Sequence, residues 1–551
     1  MIDKSNINIF RASLIVEELI RNGTDYFCVS PGSRSAPLTV AVARNAEARH
    51  IVCFDERGAA FHALGYARAT GRPAALICTS GSAAAHYLPA VTEADADMIP
   101  MIILSADRPP ELLKRGANQT TNQADMFRAF TRDQSNLNIS DRGLTHEYIL
   151  REIDDLYSKS IGNYAGPVHI NCMFREPLAP VDDGIEIEIS PKLKHWEGSF
   201  EPFCSYADVL LTASDEVIET TADILNNSDK TLLIVGHLRD KKAQDFIRKL
   251  TKKLNCPVFP DIRSGLRFGE NNSDYCSYCD QIFQTTETAV FDTILHIGGN
   301  FVSKQLILFL ERTAPKNYIH VDNHPLINDP GNLQTMRIES DVSNFCKRIN
   351  ERLKNNKLSE LVNLYARQSR LINDTIDSYQ VSANSEFIVA KDITQLAETA
   401  LYSASSMPVR YFDMFAGRAD SNLDFAANRG VSGIDGTIAS ATGFAAGQEK
   451  DTCLLIGDLA FIHDLNSLTL IKSIEQNIII VLINNGGGGI FSHLPIADHE
   501  DIFEEYFGTP HNYDFKGTVE NFGLKYIKAN IGTDFRDTFR KVLSAGESCV
   551  I

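Results

Sequence analysis

Short runs of apolar residues that end abruptly in polar turns recur along the whole chain, and the clearest pair lies near its end. Residues 453–456 are apolar and stop at Gly457 and Asp458, and residues 478–483 stop at Asn484 and Asn485. Between these runs, apolar residues recur every three or four positions over 459–471, which is the spacing of a helix face. The pattern predicts a strand, a crossover helix and a second, parallel strand.

The same arrangement is repeated in the first part of the chain. A helix is predicted over 6–21, where Gly23 can end it. Each of the next four apolar runs stops in a polar turn and leads into a further helix; they are residues 27–29, 51–54, 76–78 and 102–104. A last run covers 168–171. Strands that alternate with helices predict a doubly wound domain with a parallel sheet.

The middle and the end of the chain show the same alternation. The middle part predicts helices over 207–225 and 242–254, and strands over 232–235, 257–259, 293–297 and 319–322. The apolar residues 549–551 predict one more strand. The predicted fold class is therefore α/β, with three doubly wound domains over 1–185, 186–385 and 386–551.

Composition and charge narrow the possible functions. A chain of 551 residues with 44% hydrophobic content is too long for one core. The net charge of -18 disfavours nonspecific binding to nucleic acid or to an anionic membrane. No apolar run approaches the length of a membrane span, and the first residues lack the pattern of a secretory signal. We therefore expect a cytoplasmic protein whose partners are small molecules.

The cysteines do not predict a metal site. Most of the 11 cysteines lie in apolar runs, where a reduced Cys behaves as a small hydrophobic residue. Cys276 and Cys279 have the spacing of a zinc-binding pair, but no second pair or suitably spaced His follows them. We interpret this segment as a loop.

The ends of the two strands near the end of the chain carry the ligands of a hard cation. Asp458 supplies a carboxylate, Asn485 an amide oxygen and Gly487 a backbone carbonyl, which together suit Mg²⁺ or Mn²⁺. Each feature alone is common as a helix cap or a glycine loop. Because they lie about 27 residues apart across one strand–helix–strand unit, both are expected at one edge of the sheet, where α/β proteins bind ligands.

The helix that follows Asp458 adds a site for phosphate groups. The turn at Gly457 exposes the backbone amides of Leu459 and Ala460, at the positive end of the helix dipole. A metal ion and these amides would together neutralise a diphosphate.

Two turns in the first domain carry further candidates. The loop over 30–35 presents hydroxyl groups and the guanidinium of Arg34, which suit a carboxylate, although a simple capped helix start is equally compatible with this loop. Glu56 follows a predicted strand, where a glutamate is ordinarily a neighbour of a helix N-cap or, here, a salt-bridge partner of Arg57.

Several of these segments resemble one family of enzymes over nearly the whole chain. The segments at 30–35, 54–58, 79–83, 107–112 and 116–119 are similar to motifs of the 2-succinyl-5-enolpyruvyl-6-hydroxy-3-cyclohexene-1-carboxylate synthases. The Gly457-Asp458 and Asn484-Asn485 pairs resemble the thiamin diphosphate signature, with Leu459 in place of its third residue. The resemblance implies the thiamin-diphosphate-binding fold, with a pyrimidine domain and a diphosphate domain on either side of a middle domain.

The resemblance also assigns roles around the cofactor. It implies that Glu56 is the catalytic acid on the pyrimidine ring, where burial would raise its pKa. The Gly433 backbone would receive the aminopyrimidine, and the Ile434 side chain would hold the bent cofactor, unless Ile434 is simply a core residue. Further contacts with the cofactor and metal are implied at Ser406, Gly457, Asp458, Leu459, Ala460, Asn485, Gly487 and Ile490.

The implied reaction joins two dicarboxylates. The family decarboxylates 2-oxoglutarate and adds the succinyl unit in a 1,4 sense to isochorismate, in menaquinone biosynthesis. The resemblance implies catalytic roles for Arg410 and Arg429. It also implies substrate contacts at Ser33, Arg34, Arg108, Asn118, Gln119, Lys304, Ser406, Arg410 and Arg429. Gln305 and Ser405 depart from the family pattern. A homo-oligomer is implied, at least a dimer and more specifically a tetramer.

Three alternatives stay open at this point. The first is another thiamin enzyme that resembles acetohydroxyacid synthase or a 2-oxoacid decarboxylase. The second is a flavin- or nicotinamide-binding oxidoreductase built on the Gly298-Gly299 turn at 297–300, which is a weak signal without a third spaced glycine. The third is a regulator that binds the cofactor without catalysis, against which the presence of Glu56 argues.

Overall fold

A computed structural model of the chain describes residues 2–184, 186–269, 275–284, 289–354, 359–380, 385–417 and 422–551. Tertiary contacts divide the chain into two compact units. The first unit holds residues 1–209, 428–452 and 459–478, and the second holds 210–427, 453–458 and 479–551.

The first sheet lies in the first unit and has six strands among the described residues: β1 Tyr26–Val29, β2 Arg49–Val52, β3 Ala74–Cys78, β4 Met101–Asp107, β5 Asp133–Asn138 and β6 Pro167–Met173. The order is β2-β1-β3-β4-β6-β5, and the strand pairs run parallel. The helices of this region are α1 Ile7–Asn22, α2 Ala36–Arg44, α3 Glu56–Thr70, α4 Ser82–Ala85, α5 Leu88–Ala96, α6 His146–Ile161 and α7 Pro191–Glu197. Apolar clusters cover both faces of the sheet, so its central strands are buried throughout.

The middle sheet has five strands in the part of this region that the structure describes: β7 Thr231–Val235, β8 Val258–Pro260, β9 Thr293–Ile297, β10 Asn317–Asp322 and β11 Met336–Glu339. They pair in parallel in the order β11-β10-β9-β7-β8. The accompanying helices are α8 Asp215–Asn226, α9 Ala243–Leu254, α10 Cys279–Gln284, α11 Lys304–Thr313, α12 Val342–Arg352 and α13 Glu360–Gln380.

The third sheet holds six strands within the described ranges: β12 Ala400–Ser403, β13 Phe425–Ala427, β14 Thr452–Gly457, β15 Ile478–Ile483, β16 Lys525–Tyr526 and β17 Cys549–Val550. Their order is β13-β12-β14-β15-β17-β16. The α-helices of residues 386–551 are α14 Glu386–Leu396, α15 Met407–Phe415, α16 Thr437–Gln448, α17 Asp458–His463, α18 Glu500–Phe503, α19 Lys516–Asn521 and α20 Thr533–Ala545, of which α16 belongs to the first unit. Short 3-10 helices cover Pro110–Leu112, Ile262–Ser264, Leu465–Ser473, Gly489–His493 and Pro495–Asp498, and a π-helical turn covers Glu504–Gly508.

Two helices of the first unit pack with almost no space between their backbones. A Cβ atom on Gly65 of α3 would lie 2.0 Å from the Ser440 carbonyl oxygen of α16. A Cβ atom on Gly443 of α16 would lie 1.9 Å from the His62 carbonyl oxygen of α3. This contact holds the helix that begins at Glu56 against the helix that follows the loop with Arg429.

The predicted fold class, with three α/β regions and parallel sheets, is confirmed. The predicted domain limits stay a prediction, and the first limit falls on residue 185, which lies outside the described residues. No helix among the described residues is long and apolar enough to cross a membrane.

The crossover over 459–471 was predicted as one helix, and that prediction is wrong. The chain forms the short helix α17 and then a 3-10 helix over Leu465–Ser473. Asp464 lies at the junction, where its carboxylate accepts hydrogen bonds from the Ala439 amide at 3.0 Å and the Ser467 hydroxyl at 2.6 Å. Because the side chain of Asp464 bonds to the start of another helix, the local backbone is held out of a regular α-helix.

Other differences occur at the ends of elements. The helix predicted over 207–225 begins at Asp215, after Ser214 caps it, because Leu211 instead bonds to the Asp341 amide. The strand predicted over 51–54 ends at Val52, and α3 begins four residues later, at Glu56. The strands β5 and β11 were missed because they lie at sheet edges, where a strand needs no continuous apolar run.

Candidate active site

The predicted site residues fall in both units. The first unit holds Ser33, Arg34, Glu56, Arg108, Asn118, Gln119, Arg429, Gly433, Ile434, Leu459 and Ala460. The second unit holds Lys304, Ser406, Arg410, Gly457, Asp458, Asn485, Gly487 and Ile490.

Asp458 meets the turn after the neighbouring strand, as the spacing predicted. β14 and β15 are adjacent in the third sheet, and Asp458 follows β14 directly. Its carboxylate is buried, with 2% of the residue exposed. Oδ2 accepts hydrogen bonds from the Gly486 amide at 2.8 Å and the Gly487 amide at 3.2 Å. The carboxylate and the glycine turn are therefore brought together by direct hydrogen bonds.

The glycine turn leaves no room for side chains. Gly487 has a φ of +155°, and a Cβ atom there would lie 2.3 Å from the carbonyl oxygen of Gly508. The Gly488 amide donates to the same oxygen at 2.7 Å, and the His511 amide donates to the Gly486 carbonyl at 2.9 Å. The segment 508–511 therefore lies directly on the turn, and this close approach explains the run of glycines.

His511 is a neighbour of Asp458 that sequence reasoning missed. Its Nε2 lies 3.4 Å from Asp458 Oδ2, and its Nδ1 accepts a hydrogen bond from the Tyr513 amide at 3.3 Å. Because Nδ1 acts as an acceptor, the neutral ring carries its proton on Nε2, which faces the carboxylate. The ring stacks on Tyr513 and meets Phe515 edge-on. His511 lies in an irregular loop, where no periodic pattern marks it.

Glu386 is a second missed residue, and it orients Asn485. Oε1 of Glu386 accepts a hydrogen bond from Asn485 Nδ2 at 3.0 Å, and Oε2 accepts one from the Tyr411 hydroxyl at 2.8 Å. Burial and this carboxylate raise the pKa of Tyr411. A carboxylate can only accept hydrogen bonds, so the amide nitrogen of Asn485 must face it. The amide oxygen is then directed elsewhere, as a metal ligand requires.

The helix α15 connects this network to two predicted substrate residues. Tyr411 follows Arg410 on the helix, and Arg410 donates to the backbone oxygen of Ser406 at 2.5 Å. Ser406 occupies the N-cap position of the helix with a φ of +69°, without a capping hydrogen bond from its side chain. The segment with Ser406 and Arg410 is thus joined through Tyr411 and Glu386 to Asn485.

The residues at the end of β14 and β15 fit a divalent cation. Asp458 is a buried carboxylate, the Asn485 amide is oriented by Glu386, and the Gly487 backbone lies within hydrogen-bonding distance of Asp458. Carboxylate, amide and carbonyl oxygens are hard donors of the kind that Mg²⁺ and Mn²⁺ prefer. These three residues supply only part of an octahedral shell, which leaves positions for water and a diphosphate.

Glu386→Gln is expected to weaken Mn²⁺ binding in the presence of thiamin diphosphate by about tenfold or more. A glutamine can present either its oxygen or its nitrogen to Asn485, so the amide orientation is no longer enforced. Titration by electron paramagnetic resonance measures the affinity. Tyr411→Phe is the matched control, because it removes the other hydrogen bond and leaves the carboxylate in place. Equal Mn²⁺ affinity in Glu386→Gln and the wild-type chain would rule out the orienting role.

Glu56 is held at the first turn of α3. Asp55 caps the helix by accepting from the Arg57 amide at 3.0 Å, and Arg57 donates to the His463 carbonyl oxygen at 2.8 Å. Among the ion pairs of the described residues, none joins Arg57 to Glu56, so the structure does not support the simple salt-bridge interpretation. The start of α3 instead contacts the last residue of α17.

The described residues of the chain do not bury Glu56, although the resemblance implied a buried carboxyl group. The residue is partly exposed and is the first residue of α3. Its carboxylate lies close enough to the buried Cys78 thiol to add to the effect of burial, which raises the pKa of Cys78 to about 12.

Two predicted arginines lie close together in the first unit. The Arg34 side chain is buried, with NH1 donating to the Phe174 carbonyl at 2.8 Å. Burial and the nearby charge of Arg108 both lower the pKa of Arg34. The Nε atoms of both arginines are buried without a hydrogen-bond partner among the described residues. Glu176 and Asp107 partly offset this repulsion, and Arg34 NH2 lies 3.5 Å from Glu176 Oε1. An anionic ligand beside the two guanidinium groups would offset it further.

Other predicted site residues of the first unit lie in loops. Gln119 accepts from Arg108 at 3.4 Å, and the Gln119 Cα lies 3.4 Å from the position of a Cβ on Gly81, so the loop with Asn118 and Gln119 packs on the loop at 79–83. Ser33 and Asn118 are exposed. Gly433 and Ile434 lie in the loop before α16, and Ile434 is partly exposed, which argues against a core role.

The remaining predicted residues of the second unit lie at element starts. Lys304 is exposed and begins α11, after the cap at Ser303. Ile490 lies in the 3-10 helix that follows the glycine turn.

The backbone of the turn at 297–300 forms hydrogen bonds with the backbone of a neighbouring segment. The Gly299 amide donates to the His237 carbonyl, and the His237 amide donates to the Asn300 carbonyl. A Cβ atom on Gly236 would lie 1.9 Å from the Gly299 oxygen. A dinucleotide would need this backbone surface for its pyrophosphate, so the structure does not favour the oxidoreductase alternative.

Three family models match successive parts of the chain. "Thiamine pyrophosphate enzyme, N-terminal TPP binding domain" matches residues 11–126. "Middle domain of thiamine pyrophosphate" matches 188–402, and "Thiamine pyrophosphate enzyme, C-terminal TPP binding domain" matches 412–551. Thiamine pyrophosphate is another name for thiamin diphosphate.

Curated relatives match over nearly the full length. Three of them carry the name 2-succinyl-5-enolpyruvyl-6-hydroxy-3-cyclohexene-1-carboxylate synthase. The protein of Chlorobaculum parvum is 38% identical, over 98% of this chain and 92% of its own length. The protein of Rubrobacter xylanophilus is 40% identical, over 97% and 93%. The protein of Salinibacter ruber is 36% identical, over 100% and 94%.

Proposed function

The chain belongs to the family of 2-succinyl-5-enolpyruvyl-6-hydroxy-3-cyclohexene-1-carboxylate synthases, and from this membership we propose the reaction and the residues that perform it. It is a thiamin-diphosphate-dependent transferase that decarboxylates 2-oxoglutarate and adds the succinyl unit to isochorismate. This reaction is a step of menaquinone biosynthesis.

The hydrogen bonds from Gly486 and Gly487 to the buried carboxylate of Asp458 are the observation that carries the proposal. They bring together the two halves of the thiamin diphosphate signature from the ends of adjacent strands. In the proposed site, Asp458, Asn485 and the Gly487 carbonyl hold Mg²⁺ or Mn²⁺. Gly457, Leu459, Ala460 and Ile490 line the diphosphate.

Thiamin diphosphate, when bound, supplies an electron sink for the loss of carbon dioxide from a 2-oxo acid. The residues of the chain transfer the proton and hold the cofactor in position. Glu56 would hydrogen-bond to the pyrimidine ring and exchange a proton with it, the Gly433 carbonyl would accept a hydrogen bond from the amino group, and Ile434 and Ser406 would pack against the cofactor. Rigid placement of these groups lowers the barrier because little reorganisation is needed during reaction.

The proposed substrate contacts match the charge of two dicarboxylates. In the first unit these are Ser33, Arg34, Arg108, Asn118, Gln119 and Arg429, and in the second unit Lys304, Ser406 and Arg410. Arginine forks bind carboxylates in a bidentate manner. The nearby charge of Arg108, which lowers the pKa of Arg34 together with burial, supports a carboxylate position beside these two side chains.

We propose that the active form is a homo-oligomer, at least a dimer and specifically a tetramer, in the cytoplasm. The family resemblance supports this assembly, because it implies that Glu56 of one copy and Asp458 of another copy contact the same cofactor. Sedimentation of the purified chain with and without cofactor measures the assembly.

The activity test uses the purified chain with thiamin diphosphate, Mg²⁺, 2-oxoglutarate and isochorismate. Mass spectrometry is expected to find the succinylated product only when both substrates are present. Replacement of 2-oxoglutarate by pyruvate is expected to abolish most turnover. Equal turnover of pyruvate would favour an enzyme resembling acetohydroxyacid synthase and would overturn the proposal.

A further inference from the structure

Glu93 is a buried carboxylate in the middle of α5, with 1% of the residue exposed. Its side chain accepts three hydrogen bonds from consecutive backbone amides of a distant loop. The Gly430 amide donates to Oε1 at 2.7 Å, and the amides of Val431 and Ser432 donate to Oε2 at 2.7 Å and 3.3 Å. All of these residues belong to the first unit. A buried carboxylate is stable only with such partners.

A buried arginine holds the carboxylate in place on its other side. Arg68 NH2 lies 3.4 Å from Glu93 Oε1, and NH1 contacts the carboxylate of Asp97. Burial and the nearby carboxylate of Asp97 raise the pKa of Glu93, whereas Arg68 and the loop amides act in the opposite direction. The carboxyl group of Glu93 lies between one guanidinium and three backbone amides.

The loop packs on α5 without space for adjustment. A Cβ atom on Gly430 would lie 2.6 Å from the Glu93 carbonyl oxygen and 3.1 Å from the Ala96 Cβ. Ser432 has a φ of +62°, a conformation that a serine adopts only when the surroundings impose it. Glu93 is thus bonded to the middle of the segment that begins with Arg429 and continues to Gly433 and Ile434.

We propose that Glu93 is a positioning residue for the reaction, which presents Arg429 at one end of the loop and Gly433 and Ile434 at the other in a single geometry. The proposal rests on the proposed function of those three residues. Glu93 lies too far from them in sequence for any motif to reveal the connection. Its carboxylate acts through the loop backbone.

Hydrogen exchange measures the contact directly. Glu93→Gln replaces one acceptor oxygen by an amide that cannot accept, so at least one loop amide loses its partner. Exchange in the peptide containing Gly430 to Ser432 is expected to become about tenfold faster or more. Asp97→Asn is the matched control, because it removes a buried carboxylate beside the same Arg68 and is expected to leave exchange in this peptide unchanged. Wild-type exchange in Glu93→Gln would overturn the proposal.

A double-mutant cycle separates positioning from a general loss of stability. Glu93→Gln is expected to lower kcat/KM about 10- to 100-fold, because small displacements of a binding group have effects of this size. In the Arg429→Ala background the same substitution is expected to lower kcat/KM by a much smaller factor, because the loop no longer carries the group that Glu93 positions. An equal decrease of kcat/KM in both backgrounds would overturn the proposal.

Two further comparisons keep the result interpretable. If Glu93→Gln does not fold, Glu93→Asp replaces it, because it keeps the charge and withdraws the carboxylate by one methylene; the same loop exchange and the same non-additivity are expected. Absence of product from the wild-type chain would count against the proposed function alone. The exchange measurement would still decide whether Glu93 holds the loop.

Discussion

Glu56→Gln is expected to lower the rate of product formation by about a hundredfold or more, while thiamin diphosphate binding stays within about threefold of the wild-type value. A carboxamide has the size of a carboxyl group and can still hydrogen-bond to the pyrimidine ring. It cannot exchange a proton with the ring, and a positioned general acid or base contributes factors of this size.

The rate is measured by mass spectrometry of the product, and cofactor affinity by calorimetry. Asp55→Asn is the matched control, because it removes the adjacent carboxylate and keeps the cap of α3, since Asn caps helices as well as Asp. This control is expected to keep nearly full activity. A Glu56→Gln chain with wild-type turnover would remove Glu56 from the mechanism, and one that no longer binds the cofactor would assign it a binding role instead.

Asp458→Asn is expected to weaken metal-dependent binding of thiamin diphosphate by at least about 100-fold, which corresponds to about 2.7 kcal/mol. The substitution removes the buried carboxylate charge that a divalent cation requires. It also leaves a single side-chain oxygen, and both the Gly486 and the Gly487 amide donate to one oxygen of Asp458. If the asparagine oxygen faces these amides, the amide nitrogen faces the cation; if it faces the cation, the two glycine amides lose their acceptor.

Calorimetric titration of thiamin diphosphate at fixed Mg²⁺ measures this loss. Asp451 precedes the same strand at its opposite end, and its carboxylate accepts from the Asn477 amide at 2.8 Å. Asp451→Asn changes the net charge equally and is expected to leave the affinity unchanged. If Asp458→Asn binds the cofactor as the wild-type chain does, the metal site lies elsewhere.

The sheets and the cation ligands could be predicted because their signals are local. The run at 478–483 matches β15 residue for residue, since a buried strand must be apolar on both faces. Adjacent parallel strands end at the same edge, so the meeting of Asp458 with the glycine turn followed from topology. The helical spacing over 459–471 gave a wrong prediction of one helix, because Asp464 accepts a hydrogen bond from α16 and the local pattern does not contain this partner.

The amino-acid sequence by itself determined the α/β class, the parallel sheets and the residue types at the strand ends, because periodicity and turn chemistry act over a few neighbouring residues. Only the tertiary structure decided which distant groups support the site. Glu386 reaches Asn485, His511 faces Asp458 and Glu93 bonds to the loop after Arg429 across 99, 53 and 337 positions of the sequence, the last counted to Gly430. Such contacts depend on how packed elements meet in space, and a hydrogen bond between distant residues leaves no period in the chain.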